Sequence, residues 1–220
     1  MLEVLYEDNH LIAMNKKAGD IVQGDKTGDT PLSDFIKAYI KKKYKKPGEV
    51  FLGTIHRLDR PTSGIVLYAR TSKALSRMNE KFRNKGVKKT YWAVAENAPP
   101  NTSGTLESYL QKNQKQNKSY VTKNDGAKHS VLKYKLLKKL DNFYHLEIKP
   151  KTGRHHQIRV QLAHIGCIIK GDLKYGAKRS NKDASIHLLA QKLTFTHPVK
   201  KEEITIVAIP PKDSIWDVCV

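Results

Sequence analysis

His56-Arg57-Leu58-Asp59-Arg60-Pro61-Thr62-Ser63-Gly64-Ile65-Val66-Leu67-Tyr68 is the stretch from which the rest of this 220-residue chain can be read. One carboxylate, Asp59, stands between two guanidinium groups, Arg57 and Arg60. Pro61-Thr62-Ser63-Gly64 follows, and then an apolar run with strand character. Proline fixes φ and glycine permits φ > 0, so the backbone can reverse just after the acid and enter a buried strand. Asp59 then lies on a loop at the mouth of that strand, a place that often carries chemistry. Positive charge on both sides favours the ionised carboxylate. The plain alternative is an aspartate that anchors a turn through surface ion pairs.

Composition narrows the partner. Lys and Arg number 41 against 21 Asp and Glu, a formal charge of +20. Such an excess points to a polyanion, RNA or DNA before an anionic membrane. No apolar run approaches the ~20 residues that span a bilayer, and the lysine-rich stretches lack an apolar stripe with aromatic anchors. The two cysteines, Cys167 and Cys219, fit no zinc or redox spacing. The segment from Met1 to Asp8 is acidic and does not read as a signal peptide. A reduced, cytoplasmic setting is therefore expected.

Leu2–Tyr6 and His10–Asn15 read as strands joined at Asp8-Asn9, with Ala18-Gly19-Asp20 and Gly24-Asp25 as turns. Pro31 opens a helix whose apolar face is Leu32, Phe35, Ile36, Tyr39 and Ile40. The run Lys41-Lys42-Lys43-Tyr44-Lys45-Lys46 ends it before Pro47-Gly48. Those lysines are either a solvated helix end matched to the helix dipole or a phosphate-contacting patch. Gly64–Arg70 reads as a strand, and Ser72 as the cap of a helix marked by Leu75, Met78 and Phe82. Lys89–Ala95 reads as a strand and Leu106–Leu110 as a short one. Gln111–Ser119 reads as a mobile surface loop, and Val131–Leu140 with Phe143–Ile148 as a hairpin. A helix is expected from Arg154 to about Ile165, stopped by Gly166, and closing strands at Ile186–Phe195 and Ile204–Ile209. Many strands with three helices interspersed predict one α+β domain over residues 1–220, with a mixed, mostly antiparallel central sheet flanked by helices.

His-Arg-Leu-Asp-x-x-Thr-Ser-Gly before an apolar strand resembles the signature of the RluA-type pseudouridine synthases. Further stretches share the resemblance. Lys89-x-Tyr91-x-Ala93-x-Ala95 is similar to the family's second motif, with Ala95 where valine is usual. Thr152-Gly153-Arg154-His155-His156-Gln157-Ile158-Arg159-Val160-Gln161-Leu162-Ala163-His164-Ile165-Gly166 resembles the third, with His155 in place of threonine and Gln161 in place of histidine. Gly171-Asp172 and Tyr175-Gly176 continue that pattern. Leu188-Leu189-Ala190, Leu193, Phe195 and His197-Pro198 resemble the last motif, with Leu189 for the usual histidine.

The resemblance implies a pseudouridine synthase fold with an active-site cleft, and the isomerisation of uridine in RNA to pseudouridine. It implies Asp59 as the essential carboxylate, Tyr91 as the ring that stacks on the uracil and sits near the C5 proton, and Arg159 as the partner of Asp59. It also places His56, Arg57, Leu58, Arg60, Thr62, Ser63, Gly64, Arg154, His156, Gln157, Ile158 and Leu188 about the uridine or its RNA. By residue type alone, Tyr91 reads first as a packed strand tyrosine, and Leu193 and Phe195 read as packing. No cofactor and no metal are expected, since the reaction needs no redox step or group donor. Adjacent histidines on a helix diverge by ~100°, so His155-His156 do not chelate as an i, i+4 pair would. The partner is an rRNA or tRNA stem-loop, with no membrane and no obligate protein partner, and the protein is expected to be a monomer. The N-terminal RNA-binding module of the S4 type that many relatives carry is not expected here. Two other readings share the charge: a non-catalytic RNA-binding protein, and a metal-dependent hydrolase using His56, Asp59 and His156. Activity on cellular RNA separates the first from an enzyme, and chelator sensitivity separates the second.

Overall fold

A computed structural model describes residues 2–24 and 28–220; Asp25 of the expected Gly24-Asp25 turn lies outside the described residues. In chain order the elements are β1 (Val4–Glu7), β2 (Leu11–Lys16), α1 (Leu32–Lys43), β3 (Gly53–Thr54), β4 (Ser63–Ala69), α2 (Ser72–Arg83), β5 (Val87–Ala95), β6 (Ser103–Asn113), β7 (Lys118–Val121), β8 (Lys128–Lys139), β9 (Tyr144–Pro150), α3 (Gln157–His164), β10 (Leu188–Thr196) and β11 (Glu203–Val207). A 3-10 turn, Leu173–Tyr175, precedes β10. The class is α+β, as the pattern of strands and helices predicts. The chain divides into two compact units, Met1–Lys88 with Ala190–Pro210, and Lys89–Leu189 with Pro211–Val220.

In the first unit β4 is the central strand. It pairs antiparallel with β2, from Leu11↔Ala69 to Lys16↔Gly64, and with β3 at Gly53↔Ala69. β1 extends the ladder beyond β2, and β11 pairs antiparallel with β10. Every residue of β4 is buried, which is why its sequence is a continuous apolar run rather than an alternation. Ile12, Met14, Val66 and Tyr68 share one face and take Leu32, Ile36 and Ile40 of α1. That i, i+4, i+8 stripe is narrower than the expected face: Phe35 is 53% exposed. α2 is capped one residue earlier than expected, by the Thr71 hydroxyl, which accepts from the Ala74 N–H at 3.2 Å. Ser72 is its first helical residue.

The second unit carries the antiparallel order β5-β9-β8-β6-β7. Ala93, Ala95, Leu132, Tyr134, Leu146 and Ile148 line one sheet face and bury Ile158 and Leu162 of α3. The expected loop at Gln111–Ser119 is instead the end of β6, a tight turn and the start of β7. Asn113 Oδ1 accepts the Gln116 N–H at 3.1 Å, and Lys174 Nζ donates to the carbonyls of Gln116 and Asn117. Those polar residues satisfy turn backbone, which a search for apolar periodicity does not register. α3 begins at Gln157 rather than Arg154, because His156 takes a left-handed conformation (φ +53) as its N-cap.

Candidate active site

The Asp59 loop is built within the first unit. Before it, His56 Nε2 accepts the Leu67 N–H at 3.2 Å, and its ring stacks on Phe82 with centroids 5.2 Å apart. Leu58 packs against the α1-facing core. After it, the Asp59 carbonyl accepts the Thr62 N–H at 3.0 Å. The reversal thus spans Asp59 to Thr62 and sets the acid at its first corner. Thr62 and Ser63 are buried, and Gly64 sits at φ +109. A β-carbon there would lie 2.4 Å from the Ala190 carbonyl oxygen of β10. Glycine is required at that point for two reasons, the backbone conformation and the close approach.

One lysine secures this turn from beneath. Lys16, 1% exposed at the end of β2, donates from Nζ to the carbonyls of Lys17 (2.9 Å), Arg60 (3.0 Å) and Thr62 (2.7 Å). Burial pulls its ammonium down to about 8, the Asp20 and Asp59 carboxylates work against that drop, and Arg60 adds to it. The loop that carries Asp59 therefore rests on a buried cation, two of whose three N–H bonds are directed at the carbonyls on either side of Pro61 and the third at Lys17. Arg60 turns to the surface, where it pairs with Asp29 at 2.8 Å. Its neighbour in sequence, Arg57, is exposed. Lys16 went unnoticed in the sequence because nothing local distinguishes a buried lysine from the many exposed ones.

The later motifs are placed within the second unit. Tyr91, half-buried on β5 opposite Ile148, packs against the cluster that also holds Ile158 and Leu188. These three expected site residues are brought together by one sheet face and α3. Lys89, two residues before Tyr91, has its ammonium pKa lowered by burial. Arg159 on α3 makes a fork-like pair with Asp172: Nε to Oδ2 at 2.7 Å and Nη2 to Oδ1 at 2.8 Å. Both side chains are buried, 5% and 1% exposed. The Arg159 guanidinium also lies 5.1 Å from the Tyr175 ring centre. Asp172, which makes this pair, is not among the expected site residues, although the sequence pattern includes its Gly171-Asp172 dipeptide.

The remaining motif residues hold the entry to α3. Gln157 is buried with its amide fully engaged: Oε1 accepts from Thr152 Oγ1 (2.8 Å) and the Arg154 N–H (3.0 Å), and Nε2 donates to the Val131 carbonyl (3.1 Å) and Gln161 Oε1 (3.0 Å). Gln161 Nε2 lies within 3.2 Å of the Leu106 and Ser130 carbonyls and 2.9 Å from Ser108 Oγ. The two glutamines form an i, i+4 ladder that fastens α3 to β6 and β8. His156 Nδ1 lies 2.9 Å from the Tyr175 hydroxyl, and its ring stacks on His155 at 3.8 Å. His155 Nδ1 lies 2.8 Å from Ser119 Oγ. Ser119 Oγ also lies 2.8 Å from the His155 carbonyl, to which its hydroxyl donates. Arg154 is exposed, with Nε on the His129 carbonyl. Leu188 and Ile158 are core residues.

Known proteins are similar to this chain in sequence and in fold. The family model for RNA pseudouridylate synthase matches residues 10–164. Ribosomal large subunit pseudouridine synthase C of Vibrio vulnificus is 32% identical over 93% of this chain and 64% of its own length. The protein of that name from Buchnera aphidicola is 32% identical over 97% and 68%. The chain spans about two thirds of the length of these curated relatives. Among solved structures, human RNA Pseudouridylate Synthase Domain Containing 4 superposes with a TM-score of 0.80 at 25% identity, over 96% of this chain and 89% of that one. The match takes in both the loop that bears Asp59 and the helix that bears Arg159, and the fold agrees as well; the chain belongs to the RNA pseudouridylate synthase family.

Proposed function

We propose that this protein isomerises uridine in RNA to pseudouridine with Asp59 as the essential carboxylate. The observation that carries this reading is the built turn at Asp59: an acid at the corner of a reversal braced by Lys16 and closed by a glycine that nothing else can replace. A loop so constrained holds its side chain with little freedom, which is what positioning catalysis requires. The reaction breaks the N1–C1′ bond, turns the uracil, joins C5 to C1′, and moves the C5 proton off while N1 gains one. Nothing is oxidised and no group is donated. Asp59 supplies the charged oxygen near the sugar and base. Tyr91 offers a π-face for the uracil and a phenol oxygen for the proton. The Arg159–Asp172 pair keeps the guanidinium in a fixed orientation. The target uridine leaves its stack to be reached, at a cost of a few kcal/mol if it is paired.

The relatives named for the ribosomal large subunit favour ribosomal RNA as substrate, with a transfer RNA stem-loop as the second choice. The protein acts as a monomer in the cytoplasm in this reading. Among the described residues no helix is long and apolar enough to cross a membrane. The test is tritium release from RNA labelled at uridine C5. Wild type releases label, whereas Asp59→Asn releases none and still binds RNA. Release by Asp59→Asn at the wild-type rate would remove Asp59 from the chemistry.

A further inference from the structure

The lysine run at the end of α1 holds more charge than the helix uses. Glu7, at the end of β1, accepts from Tyr39 Oη (2.9 Å), Lys43 Nζ (2.7 Å), Tyr44 Oη (2.8 Å) and Arg70 Nη1 (3.2 Å). That hub occupies Lys43 and ties the last turn of α1 to the strands beneath it. Lys41, Lys42, Lys45 and Lys46 are exposed. Among the described residues no carboxylate lies within ion-pair distance of any of the four. The helix dipole favours cations in the last turn, but Lys45 and Lys46 lie beyond it.

The backbone adds an independent sign. α1 closes with the paired bonds Lys46 N–H to the Lys41 carbonyl and Lys45 N–H to the Lys42 carbonyl, and Lys45 takes φ +48. α3 closes with the same two bonds, and there the left-handed residue is Gly166. Glycine is what this position favours, because a β-carbon strains it. α2 ends the same way on Lys85 at φ +58, so a cation stands in for glycine at both helix ends of this unit. A lysine at a position whose backbone favours glycine points to a use outside the helix.

We propose that the end of α1 is a phosphate-binding patch for the RNA backbone, formed by Lys41, Lys42, Lys45 and Lys46 and separate from the catalytic motifs. The Glu7 hub fixes the backbone from which these lysines project, so the patch is ordered before RNA arrives. Phosphate is favoured over a bilayer surface because the aromatic among the lysines, Tyr44, is held by Glu7 through its hydroxyl and by the Arg70 guanidinium over its ring, while the exposed Phe35 lies six residues back from Lys41, about 9 Å along the axis. This inference rests on the reading of the protein as an RNA-acting enzyme.

The test compares wild type with the variant Lys41→Gln, Lys42→Gln, Lys45→Gln, Lys46→Gln on ribosomal RNA fragments, measuring binding from 50 to 200 mM salt and pseudouridine formation at saturating RNA. The slope of log affinity against log salt should fall by about 2 to 3, at roughly 0.7 for each phosphate that is no longer neutralised. Affinity near 0.1 M salt should fall about 100- to 1,000-fold, with turnover at saturation unchanged. An unchanged slope overturns the proposal. So does a defect confined to pelleting with phosphatidylserine vesicles, which would make the patch a membrane-binding face. If the slope falls although wild type forms no pseudouridine, the patch stands and the proposed activity fails. Lys45→Gly gives the second arm: its thermal midpoint should rise while its slope drops by about 0.7, and a rise with no change in slope would make Lys45 merely a strained cap.

Discussion

Replacing Asp172 by Asn is the most informative single perturbation of the second unit. The change keeps the side chain's shape and removes its charge. It leaves Arg159, 5% exposed, without the carboxylate that now takes two of its N–H bonds at 2.7 and 2.8 Å. Breaking one side of a buried, doubly hydrogen-bonded ion pair typically costs ~3–5 kcal/mol, a large share of the ~5–15 kcal/mol that holds a domain folded. With a urea dependence of ~2–3 kcal/mol per molar for a chain of this size, the unfolding midpoint should drop by about 1–2 M. Both tryptophans, Trp92 and Trp216, belong to the same unit as the pair, so their fluorescence reports the relevant transition directly. Arg159→Met should cost a similar amount, because it strands the Asp172 carboxylate. The double variant Arg159→Met, Asp172→Leu should recover part of that stability, since no buried charge is then left alone. An Asp172→Asn midpoint within about 0.3 M of wild type, on the same scale, would show that the pair contributes little and would refute the reasoning.

Three further outcomes are expected. Gly64→Ala should lower stability by at least ~1–3 kcal/mol, since the residue sits at φ +109 and an added β-carbon would lie 2.4 Å from the Ala190 carbonyl oxygen; a thermal midpoint equal to wild type would mean that β4 and β10 can part without loss. Lys16 has a folded pKa of about 8, below the ~10.4 of an unfolded lysine. The unfolded chain thus holds more protons between those values, and this group makes stability rise with pH across that window. Lys16→Met should abolish that rise in urea midpoints taken from pH 8 to 10.5, and an identical rise in the variant would assign it to other groups. Gln161→Leu removes the amide that meets the Leu106 and Ser130 carbonyls, so a drop of ~1–3 kcal/mol is expected for stranded buried acceptors; denaturant midpoints check it.

Much of the site was legible because its chemistry is local. Asp59, its Pro and Gly turn residues and the apolar strand behind it are contiguous, so the bend could be read from residue type. The turn itself falls earlier, at Asp59 to Thr62, because the Thr62 N–H meets the Asp59 carbonyl. Tyr91 was marked by its motif, whereas the core cluster it shares with Ile158 and Leu188 joins residues nearly a hundred positions apart. The polar stretch at Gln111–Ser119 read as a loop because strand β7 is only four residues long and its order comes from Lys174 and Tyr175, both far along the chain.

Short-range information in the chain was enough for the α+β class, the positions of the helices and the acid at the turn. Each follows from periodicity or turn chemistry, which depend on neighbours within a few residues. Tertiary structure alone decided which cations are buried and what they hold: Lys16 beneath the Asp59 turn, Arg159 against Asp172, and Lys43 drawn to Glu7 while four lysines beside it stay in solvent. Lysines and arginines look alike in a sequence. What separates them is the cost of removing a charge from water, and only folded neighbours can offset it.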